Sequence, residues 1–595
     1  MTPLASSSGQ DGGVPRPLRS PSEVLDALAL AGAGRGVLVA LVVAPDSGAA
    51  LAVAGNTFAL HPDVTAEAIG LTDREMRPRW VLWNASTSSA LLRHGVRLST
   101  SWDLAAVHRL VRGGWRADPA RVWALLHGLD HHRLPAMGQL DLLGSMVDEG
   151  DAEDPVRPDG YLRPEWLSGG WADDDGRRAR WASMLLNAAV LQREQVRALQ
   201  QSGEVAGDIE ATARAESTAE LLCAELAHDG LPIDRPAAVE LITSFVGPRP
   251  SDEREATEQR RERDAAVLQH LPAGGSIDLR NPADVKTMLR RLGIDVPDTR
   301  AWRLETLRDA HPVIDALLTW RKAERIATTF GHTWLAEHVD VDGRLRGTWS
   351  ASDGAAGRMT AQAGLHNLPS ELRPVVTAEP GYRFVRADLG QIEPRVLAAV
   401  SGDPALCAAT NDDDLYLPVA SRLGVERSVA KVAVLAAMYG QTSGTAGQAL
   451  RGMEAAYPVA IRFLDEAARR GQQGVDLRTY GGRLVRMFDL REGSDYSSGS
   501  AARGRYARNA MVQGAAAELF KVWAVTVRAR AVDIGARVVL CLHDELLVHV
   551  PEQFAPDAVR VVDDSLQEAA HRWCRTSGVR FVADISTIRR WSDAK

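Results

Sequence analysis

The chain has 595 residues, of which 45% are hydrophobic and 25% charged, and its formal net charge is -8. This length and apolar content allow several buried cores, and the length corresponds to about three to four domains. The negative net charge excludes a positive field over the whole protein, so a nucleic-acid partner would need local basic patches. The 4 cysteines lie far apart and form no CxxC pair, which argues against a disulfide framework or a zinc site and fits a reducing compartment.

Residues 1–22 are rich in Ser, Gly and Pro and predict a disordered tail. They contain no apolar core and therefore do not resemble a signal peptide. No apolar run in the rest of the sequence approaches the ~18 residues that are needed to cross a membrane.

Three runs of β-type residues follow the tail, at 36–45, 49–55 and 79–85, each bounded by Pro, Gly or Asp. Helical stretches come after them at 88–96 and 103–111. This alternation predicts a small α/β domain.

The sequence between residues 147 and 180 is acidic and rich in Gly and Pro, which predicts a linker or a surface excursion. Beyond it, segments 180–200, 209–228 and 251–269 have helical periodicity. The last of these is so highly charged that most of its surface must face water.

From about residue 340 the pattern mixes strands and helices again. Residues 381–403 predict a strand that ends near Asp388, a polar elbow, and a helix with Pro394 in its first turn. Residues 538–550 consist of two apolar runs separated by His-Asp-Glu, which predicts a hairpin with Asp544 at its bend. Both aspartates are therefore expected at strand ends.

Two aspartates buried together would raise each other's pKa and lose their water, and divalent cations would remove that cost. Hard carboxylate oxygens suit Mg²⁺, and two such ions about 3.5 to 4 Å apart can stabilise the entering and leaving oxygens of an in-line phosphoryl displacement. Taken singly, Asp388 or Asp544 is more often a turn or cap residue. The pair is what favours a metal site.

The segment RSVAKVAVLAAMYG, residues 427–440, is mostly apolar but is interrupted by Arg427, Lys431 and Tyr439. Together with Leu435 these residues recur at steps of four and form one stripe along a helix. Taken alone, it fits an amphipathic helix whose long cations reach water. Beside a metal pair, however, the two cations could hold a polyphosphate and the phenol could face a base. Lys431 could also pass a proton to the leaving pyrophosphate.

A local basic patch lies between residues 478 and 508, where seven arginines and three acids give a net charge of +4. On charge alone it is equally consistent with a solvated loop. The arginines are at positions 478, 483, 486, 491, 503, 505 and 508, and the acids are Asp489, Glu492 and Asp495.

Three segments, in this order, resemble motifs A, B and C of the family A DNA polymerases. The first is DLGQIEPR at 388–395, the second is the helix of residues 427–440, and the third is the His-Asp-Glu sequence at 543–545. Further similarity lies in residues 343–359 and 366–369, in residues 505–518, and in the segments with helical periodicity between 224 and 330. The resemblance therefore covers roughly residues 221–595. Within that family the sequence resembles the compact actinobacterial type, labelled bifunctional 3′-5′ exonuclease/DNA polymerase.

The resemblance implies roles for individual residues. The catalytic residues would be Asp388, Asp544 and Lys431, with the two aspartates as metal ligands for two Mg²⁺ ions. The nucleotide-binding residues would be Arg427, Lys431, Tyr439, Leu435, Gln391, Glu393 and His543, with Glu393 as the steric gate against a 2′-hydroxyl. The DNA-binding residues would be Arg358, Arg505, Asn509, Gln513 and Arg321.

The resemblance also implies a multidomain α/β fold, in which a right-hand polymerase of palm, fingers and thumb follows a degenerate RNase H-like α/β exonuclease domain. The expected boundaries are a tail at 1–22, the exonuclease-like domain at 23–205, the thumb and its approach at 206–345, and palm and fingers at 346–595, with the fingers about 405–500. The implied activity is that of a DNA-directed DNA polymerase in replication or repair. Its partners would be primer-template DNA and dNTPs, without a membrane, for a monomer in the cytoplasm at the nucleoid.

The sequence departs from the family pattern at two places. Leu435 replaces the usual phenylalanine of motif B, and Leu389 and Gly390 replace the usual Tyr-Ser of motif A. Sugar discrimination and nucleotide packing are therefore expected to differ from the common pattern.

A proofreading exonuclease needs about four carboxylates for two metals, and the N-terminal domain lacks most of them. The first strand has no acid, Ser88 stands at the position of the middle aspartate, and the late helix has Asn187; only Asp103 remains. We therefore expect an inactive proofreading site.

Two alternative functions remain open at this point. A single-subunit RNA polymerase would share the two aspartates and the Arg, Lys and Tyr helix, although Glu393 argues against it. A catalytically silent DNA-binding accessory protein on the same scaffold is the other alternative, and the intact Asp388, Lys431 and Asp544 argue against that.

Overall fold

The computed structural model describes residues 16–134, 151–271, 277–353, 356–440, 445–487, 499–575 and 578–594. The chain forms two compact units. The first comprises Met1–His228, Trp349–Thr360 and Val385–Thr587, and the second comprises Asp229–Thr348, Ala361–Phe384 and Ile588–Lys595.

The N-terminal part of the first unit is built on one sheet. Its strands are β1 (Leu38–Ala44), β2 (Gly48–Val53), β3 (Asn56–Leu60), β4 (Arg79–Leu82) and β5 (Ser101–Asp103). Its helices are α1 (Pro21–Leu30), α2 (Pro62–Met76), α3 (Ser86–Leu92), α4 (Leu104–Arg112), α5 (Pro119–Leu126), α6 (Pro164–Leu167), α7 (Asp175–Gln201) and α8 (Ile209–Asp229). The strand order is β3-β2-β1-β4-β5, with β1 to β3 antiparallel and β1, β4 and β5 parallel.

Both faces of this sheet are covered. Successive residues of β1 alternate between two hydrophobic cores, since Val39 and Leu41 belong to one and Ala40 and Val42 to the other. A strand buried on both faces has no room for solvated acids. This accounts for the uninterrupted apolar sequence of the first predicted strand.

The predictions for this part are largely confirmed: the strands at 36–45, 49–55 and 79–85 and the helices at 180–200 and 209–228 are present. The expected tail is too long. Residues 1–15 and 147–150 lie outside the described residues, but Leu18 pairs with Leu60, and Ser20 caps α1 in a capping box with Glu23. Residues 18–22 therefore belong to the fold.

The second unit is mainly helical. Its helices are α9 (Arg235–Val246), α10 (Glu253–Leu268), α11 (Pro282–Arg291), α12 (Ala301–Glu305), α13 (Pro312–Thr329) and α14 (His332–His338), and its short strands are β6 (Leu231–Pro232) and β7 (Arg344–Leu345). Charged α10, predicted at 251–269, buries only Val267. In α13 the apolar face carries Val313, Leu317 and Trp320 into the core of this unit.

The remainder of the first unit contains a second sheet and a long central helix. Its strands are β8 (Trp349–Asp353), β9 (Arg358–Ala361), β10 (Tyr382–Leu389), β11 (Leu477–Arg478), β12 (Leu484–Val485), β13 (Arg537–Leu542), β14 (Glu545–Pro551) and β15 (Ala583–Ile588). Its helices are α15 (Ile392–Ser401), α16 (Pro404–Ala409), α17 (Tyr416–Leu423), α18 (Arg427–Tyr439), α19 (Thr445–Ala456), α20 (Pro458–Gln472), α21 (Ser500–Ala531) and α22 (Ala555–Trp573). The main sheet has the order β13-β14-β10-β15, while β8 with β9 and β11 with β12 form two-stranded sheets.

The second sheet brings the two predicted strand ends together. The hairpin predicted at 538–550 is present as antiparallel β13 and β14, and β10 lies next to β14. Between β10 and α15 the backbone turns at Gln391, whose φ is +53°, and Pro394 is accommodated in the first turn of α15. In the part of the chain that the structure describes, no helix is long and apolar enough to span a bilayer.

Candidate active site

Asp388 and Asp544 lie at adjoining strand ends. The backbone N–H of Leu389 donates a hydrogen bond of 3.0 Å to the carbonyl oxygen of Asp544. Asp388 is the next-to-last residue of β10, and Asp544 lies in the two-residue turn between β13 and β14. The sequence prediction that both stand at strand ends is therefore confirmed.

The electrostatics of this pair fit a cation site. Burial, followed by the nearby Asp544 carboxylate, raises the pKa of Asp388 to about 6. Burial also raises the pKa of Asp544, and Glu545 and Glu393 add to the effect. Half-buried carboxylates that repel one another are stabilised by a divalent cation, and their oxygens are the ligands that Mg²⁺ prefers.

Arg386 supplies a positive charge beside Asp388. Its guanidinium donates to Asp388 Oδ2 at 2.8 Å, to Glu545 Oε1 at 2.9 Å and to Asp584 Oδ2 at 3.2 Å. Sequence analysis missed this residue. The sequence did offer one sign of its role. Arg386 stands two residues before Asp388, and side chains two residues apart lie on the same face of a strand.

A second group surrounds Glu393, in the first turn of α15. Arg358 Nη2 donates to Glu393 Oε1 at 2.8 Å, and the Tyr439 hydroxyl donates to Glu393 Oε2 at 2.9 Å. The pKa of Tyr439 is raised by burial and by Glu393, while Arg358 and a hydrogen bond with Gln513 act in the opposite direction. The structure thus unites predicted residues from motif A, motif B, strand β9 and helix α21.

Gln391 and Arg427 meet at an acid that the sequence did not single out. Gln391 Nε2 donates to Asp414 Oδ1 at 3.1 Å, and Gln391 Oε1 accepts from the N–H of Leu415 at 2.8 Å. Arg427 Nε donates to Asp414 Oδ2, and the guanidinium lies 5.6 Å from the ring centre of Tyr416. Both side chains of this ion pair retain solvent contact, at 49% and 25% exposure, so the pair is weak and readily exchanged.

The loop that carries Asp414 is fixed by Arg395 of motif A. Its buried guanidinium donates to the carbonyl oxygen of Gly390 in the elbow after β10. It also donates to the carbonyl oxygens of Thr410, Asp412 and Asp413 in the turn that precedes α17. Burial lowers the pKa of this arginine to about 10. The residue therefore positions the elbow after Asp388 rather than contacting a ligand.

The stripe predicted on α18 is present. Ala430, Ala433, Val434 and Met438 are buried, whereas Lys431 is exposed and Leu435 is half-buried. The helix thus turns its apolar side inward and presents Arg427 and Lys431 outward, as the spacing predicts.

Helix α21 carries Arg505, Asn509 and Gln513 at steps of four on one side. Arg505 is exposed, and the side-chain oxygen of Asn509 is buried without a hydrogen-bond partner among the described residues. An unsatisfied buried amide oxygen is rare in folded proteins and suits a position that binds a ligand group. The predicted basic patch has its other end here, but its residues 488–498 lie outside the described residues.

Two other predicted site residues have their own settings. His543 precedes Asp544 with a φ of +55°, and its pKa is lowered by burial and by Arg358, while Glu545 acts to raise it. Arg321 of α13, in the second unit, donates to the carbonyl oxygen of Thr299, and its pKa is lowered by burial.

Asp103, the one acid that remains of the set expected for proofreading, acts as a helix cap. Asp103 is 1% exposed, and its Oδ1 accepts from the N–H of Ala106 at 2.9 Å at the start of α4. Burial, then the nearby Glu220, raises the pKa of Asp103 to about 8. Ser88 is buried and Asn187 is exposed, and neither can supply a carboxylate.

Much of this chain is similar in sequence to known proteins. A family model described as DNA polymerase family A matches residues 252–593. DNA polymerase I of Chloroflexus aurantiacus is 34% identical over 294 residues, which cover 44% of this chain and 31% of that protein. The thermostable DNA polymerase I of Thermus filiformis is 28% identical over 320 residues, 49% of this chain and 38% of that protein. The matched segments therefore span about a third of the length of these relatives.

A solved structure is similar over a longer range. The POL domain of Pol1 from M. smegmatis, in complex with DNA primer-template and dNTP, has a TM-score of 0.67 at 22% sequence identity, and the alignment covers 97% of this chain and 99% of that chain. This likeness concerns the fold and confirms the expected multidomain α/β polymerase architecture. Because the family model matches more than half of its length, this chain belongs to DNA polymerase family A.

Proposed function

We propose that the chain is a template-directed DNA polymerase that adds dNTPs to a primer 3′ end by phosphoryl transfer assisted by two metal ions. The observation that carries this proposal is the backbone hydrogen bond from Leu389 to Asp544, because it joins the two carboxylate-bearing strand ends. The proposal is also supported by membership of DNA polymerase family A and by the similarity to a solved structure that holds primer-template DNA and a dNTP.

Asp388 and Asp544 are the residues that would hold two Mg²⁺ ions. Burial first, and then neighbouring carboxylates, raise the pKa of both aspartates, and a divalent cation offsets both effects, so the donor set fits the group. When bound, such ions stabilise the attacking and leaving oxygens of an in-line displacement. Arg386 would release Asp388 to the metal while keeping Glu545 and Asp584 as partners.

The cations of α18 would bind the triphosphate. Lys431 is exposed on the helix face that also carries Arg427, and a point charge there would stabilise the leaving pyrophosphate and could protonate it. Arg427 would exchange Asp414 for a phosphate oxygen, which costs little because the existing ion pair is exposed. Gln391, which also holds Asp414, would keep the loop in place during that exchange.

The choice of sugar would depend on Glu393. With both carboxylate oxygens held, by Arg358 and by Tyr439, this side chain cannot move aside freely to admit a 2′-hydroxyl. A rigid, buried group discriminates more strongly than a mobile one. Leu435 and His543 would complete the nucleotide site.

The product duplex would contact Arg358, Arg505, Asn509, Gln513 and Arg321. The unsatisfied oxygen of Asn509 supports this assignment, because a base or sugar donor would complete its hydrogen bonding. Sequence-independent contacts of this kind give a binding constant that falls with salt concentration.

The N-terminal part, residues 23–205, would act as a scaffold without proofreading activity. Asp103 is committed to capping α4, and Ser88 and Asn187 occupy other positions where a two-metal exonuclease needs acids. We further propose a thumb at 206–345, palm and fingers at 346–595, and action as a monomer on chromosomal DNA at the nucleoid.

Primer extension on a defined template tests the proposal. A labelled primer with one template base exposed at a time should be extended only by the complementary dNTP, and only with Mg²⁺ present. Preferential use of rNTPs would indicate an RNA polymerase, and binding of primer-template without any extension would indicate a silent accessory protein. Either of those two results would overturn the proposed activity.

A further inference from the structure

Arg483 belongs to the predicted basic patch, yet the structure buries it. It stands in the turn between β11 and β12, residues 479–483, and its side chain is closed to solvent. A charged side chain that is taken out of water needs partners of opposite charge. The partners of Arg483 therefore determine what this burial accomplishes.

Glu216 of α8 is the counterion of Arg483. Its Oε2 lies 2.7 Å from Arg483 Nη2, and its Oε1 forms an ion pair with Lys521 of α21. We call these three residues the Glu216 triad, and each is 3% exposed or less. Burial alone would raise the pKa of Glu216, but Arg483 and Lys521 together hold this pKa below its usual value. The carboxylate is therefore ionised at neutral pH.

A second buried acid, Glu518 of α21, fixes the turn that carries Arg483. Glu518 Oε2 accepts a hydrogen bond of 2.8 Å from the N–H of Gly481, and Oε1 accepts one from the hydroxyl of Thr479. The oxygen of that hydroxyl accepts from the N–H of Arg483 at 2.9 Å. A Cβ on Gly481 would lie 2.7 Å from Glu518 Oε2, so only glycine allows this close approach. The position of Arg483 is therefore set relative to α21.

The two cations of the Glu216 triad both reach strand β8. Arg483 Nη1 donates to the hydroxyl oxygen of Ser352 at 2.9 Å, and Lys521 Nζ donates to the carbonyl oxygen of Ala351 at 3.2 Å. Ala351 and Ser352 are consecutive residues of β8. The strand is therefore held at two neighbouring points by cations that share one counterion.

The guanidinium of Arg483 also packs against the residue that precedes β9. Gly357 has a φ of +67°, and a Cβ at this position would lie 2.2 Å from Arg483 Nε and 2.4 Å from Arg483 Cζ. A side chain there would displace the guanidinium. The next residue is Arg358, whose Nη2 donates to Glu393 at 2.8 Å. Arg483 and Glu393 thus contact consecutive residues of the chain.

These contacts place Arg358 relative to the helix that would hold the product duplex. Besides Lys521 and Glu518, α21 carries the proposed DNA contacts Arg505, Asn509 and Gln513. A side chain holds a ligand group accurately only when packing and hydrogen bonds fix its own support. Buried ion pairs resist rearrangement, because separating them leaves an uncompensated charge. The Glu216 triad is such a support for the strands that lead to Arg358.

We propose that Glu216, Arg483 and Lys521 are positioning residues for the choice of sugar, because they fix β8 and β9 so that Arg358 keeps Glu393 in place against a 2′-hydroxyl. The inference rests on the proposed polymerase function, with Glu393 as the sugar gate. In the part of the chain that the structure describes, the triad forms no ion pair or hydrogen bond with Glu393. Its effect on the gate therefore passes through Arg358.

Single-nucleotide incorporation kinetics of Glu216→Gln test the inference. The variant keeps the size of the side chain but removes the counterion of both cations. The ratio of kcat/KM for dNTP over rNTP should fall about 3- to 10-fold, which is the usual net effect of one hydrogen bond.

Glu225→Gln is the matched control. Glu225 also lies on α8 and forms a buried ion pair with Arg528 of α21, with 2.7 Å between Glu225 Oε1 and Arg528 Nη2. Losing this carboxylate should lower the melting temperature as Glu216→Gln does, because both variants leave a buried cation uncompensated. It should leave the dNTP/rNTP ratio unchanged. An effect on stability alone is thereby separated from an effect on positioning.

A double-mutant cycle shows whether the triad acts through Arg358. If it does, Glu216→Gln should change the ratio by less than about twofold in the Arg358→Ala background, because the connection to Glu393 is already lost. Independent effects would multiply instead. Ser352→Ala removes a contact of Arg483 without removing a charge, and it should lower the ratio by a smaller factor. That variant decides the question if Glu216→Gln fails to fold.

Hydrogen exchange gives a readout that does not require synthesis. The amides of β8 and β9 should exchange faster in Glu216→Gln than in Glu225→Gln, because local opening depends on local contacts. Equal exchange in the two variants would contradict the claim that the triad fixes these strands.

The outcomes separate this inference from the proposed function. If the unsubstituted chain extends no primer, the proposed function fails, and the role in choosing the sugar fails with it. If the chain extends primers, an unchanged ratio in both Glu216→Gln and Ser352→Ala would overturn the inference alone. Multiplying effects of Glu216→Gln and Arg358→Ala would also overturn it, and primer extension by the unsubstituted chain would still stand.

Discussion

The hydroxyl of Tyr439 donates a hydrogen bond of 2.9 Å to Glu393, which joins the last residue of α18 to the first turn of α15. Arg358 holds the second oxygen of the same carboxylate at 2.8 Å. A nucleotide bound beside α18 would therefore meet a carboxylate whose two oxygens are both held.

Removing this carboxylate should weaken the rejection of ribonucleotides. Glu393→Ala is expected to lower the ratio of kcat/KM for dNTP over rNTP by about 10- to 100-fold, because the group that fills the 2′ position is lost. Tyr439→Phe should have a smaller effect in the same direction, since it removes only one of the two donors. Single-nucleotide incorporation kinetics measure the ratio, with Glu426→Ala, at the exposed N-cap of α18, as the control. Unchanged selectivity in Glu393→Ala would contradict the gate.

Arg386 should compete with metal ions for Asp388. Because its guanidinium donates to Asp388 Oδ2 at 2.8 Å, Arg386→Gln is expected to lower the Mg²⁺ concentration for half-maximal extension, by about tenfold if some 1.4 kcal/mol of repulsion is removed. A Mg²⁺ titration of the extension rate measures this. Arg537→Gln, on the exposed start of β13, should leave the titration unchanged. A higher Mg²⁺ requirement in Arg386→Gln would instead mean that the arginine holds the aspartate in position for the metal.

Asp103 should make the stability of the chain depend on pH. Its pKa is raised from 3.8 to about 8 in the folded chain, so its protonated form contributes stability that is complete below about pH 4 and is lost as the pH rises through 8. Asp103→Asn lacks this dependence. The melting temperature of the variant relative to the unsubstituted chain should therefore increase between pH 5 and 8 and level off above pH 8.

Asp174→Asn is the matched control for that measurement, because Asp174 caps α7 in the same way but is exposed. It should show no comparable change with pH. A melting-temperature difference for Asp103→Asn that stays constant between pH 5 and 8 would show instead that the aspartate is already ionised in the folded chain over that range.

The N-terminal part, residues 23–205, should not shorten DNA. A 5′-labelled single strand incubated with the full chain and either Mg²⁺ or Mn²⁺ is expected to keep its length, because Asp103 caps a helix and neither Ser88 nor Asn187 has a carboxylate to offer a metal. Shortening that persists when Asp388 or Asp544 is replaced would contradict this.

The strand ends could be predicted from the sequence because local patterns determine them. The apolar run before Asp388, the elbow, and Pro394 near a helix start fix a strand and a helix, and the two apolar runs around Asp544 fix a hairpin. Periodicity did not predict that the two strand ends adjoin. That prediction came from the chemistry of paired carboxylates and from the family resemblance.

The network around these residues could not be predicted in the same way. Asp414 and Arg386 are ordinary charged residues in the sequence, and their partners depend on which strands and loops become neighbours. Arg321 donates to the carbonyl oxygen of Thr299 within its own unit, a contact that the sequence did not predict, and its role at DNA stays a prediction. Long-range pairing of this kind is a property of the tertiary structure.

Primer-template binding and primer extension, measured side by side for Asp388→Ala and Asp544→Ala, test whether these two carboxylates hold metal ions for synthesis. Both variants are expected to bind primer-template with nearly the affinity of the unsubstituted chain, and neither is expected to extend the primer at any Mg²⁺ concentration. Continued synthesis by either variant would contradict the claim that these two carboxylates together hold the metal ions of a polymerase site.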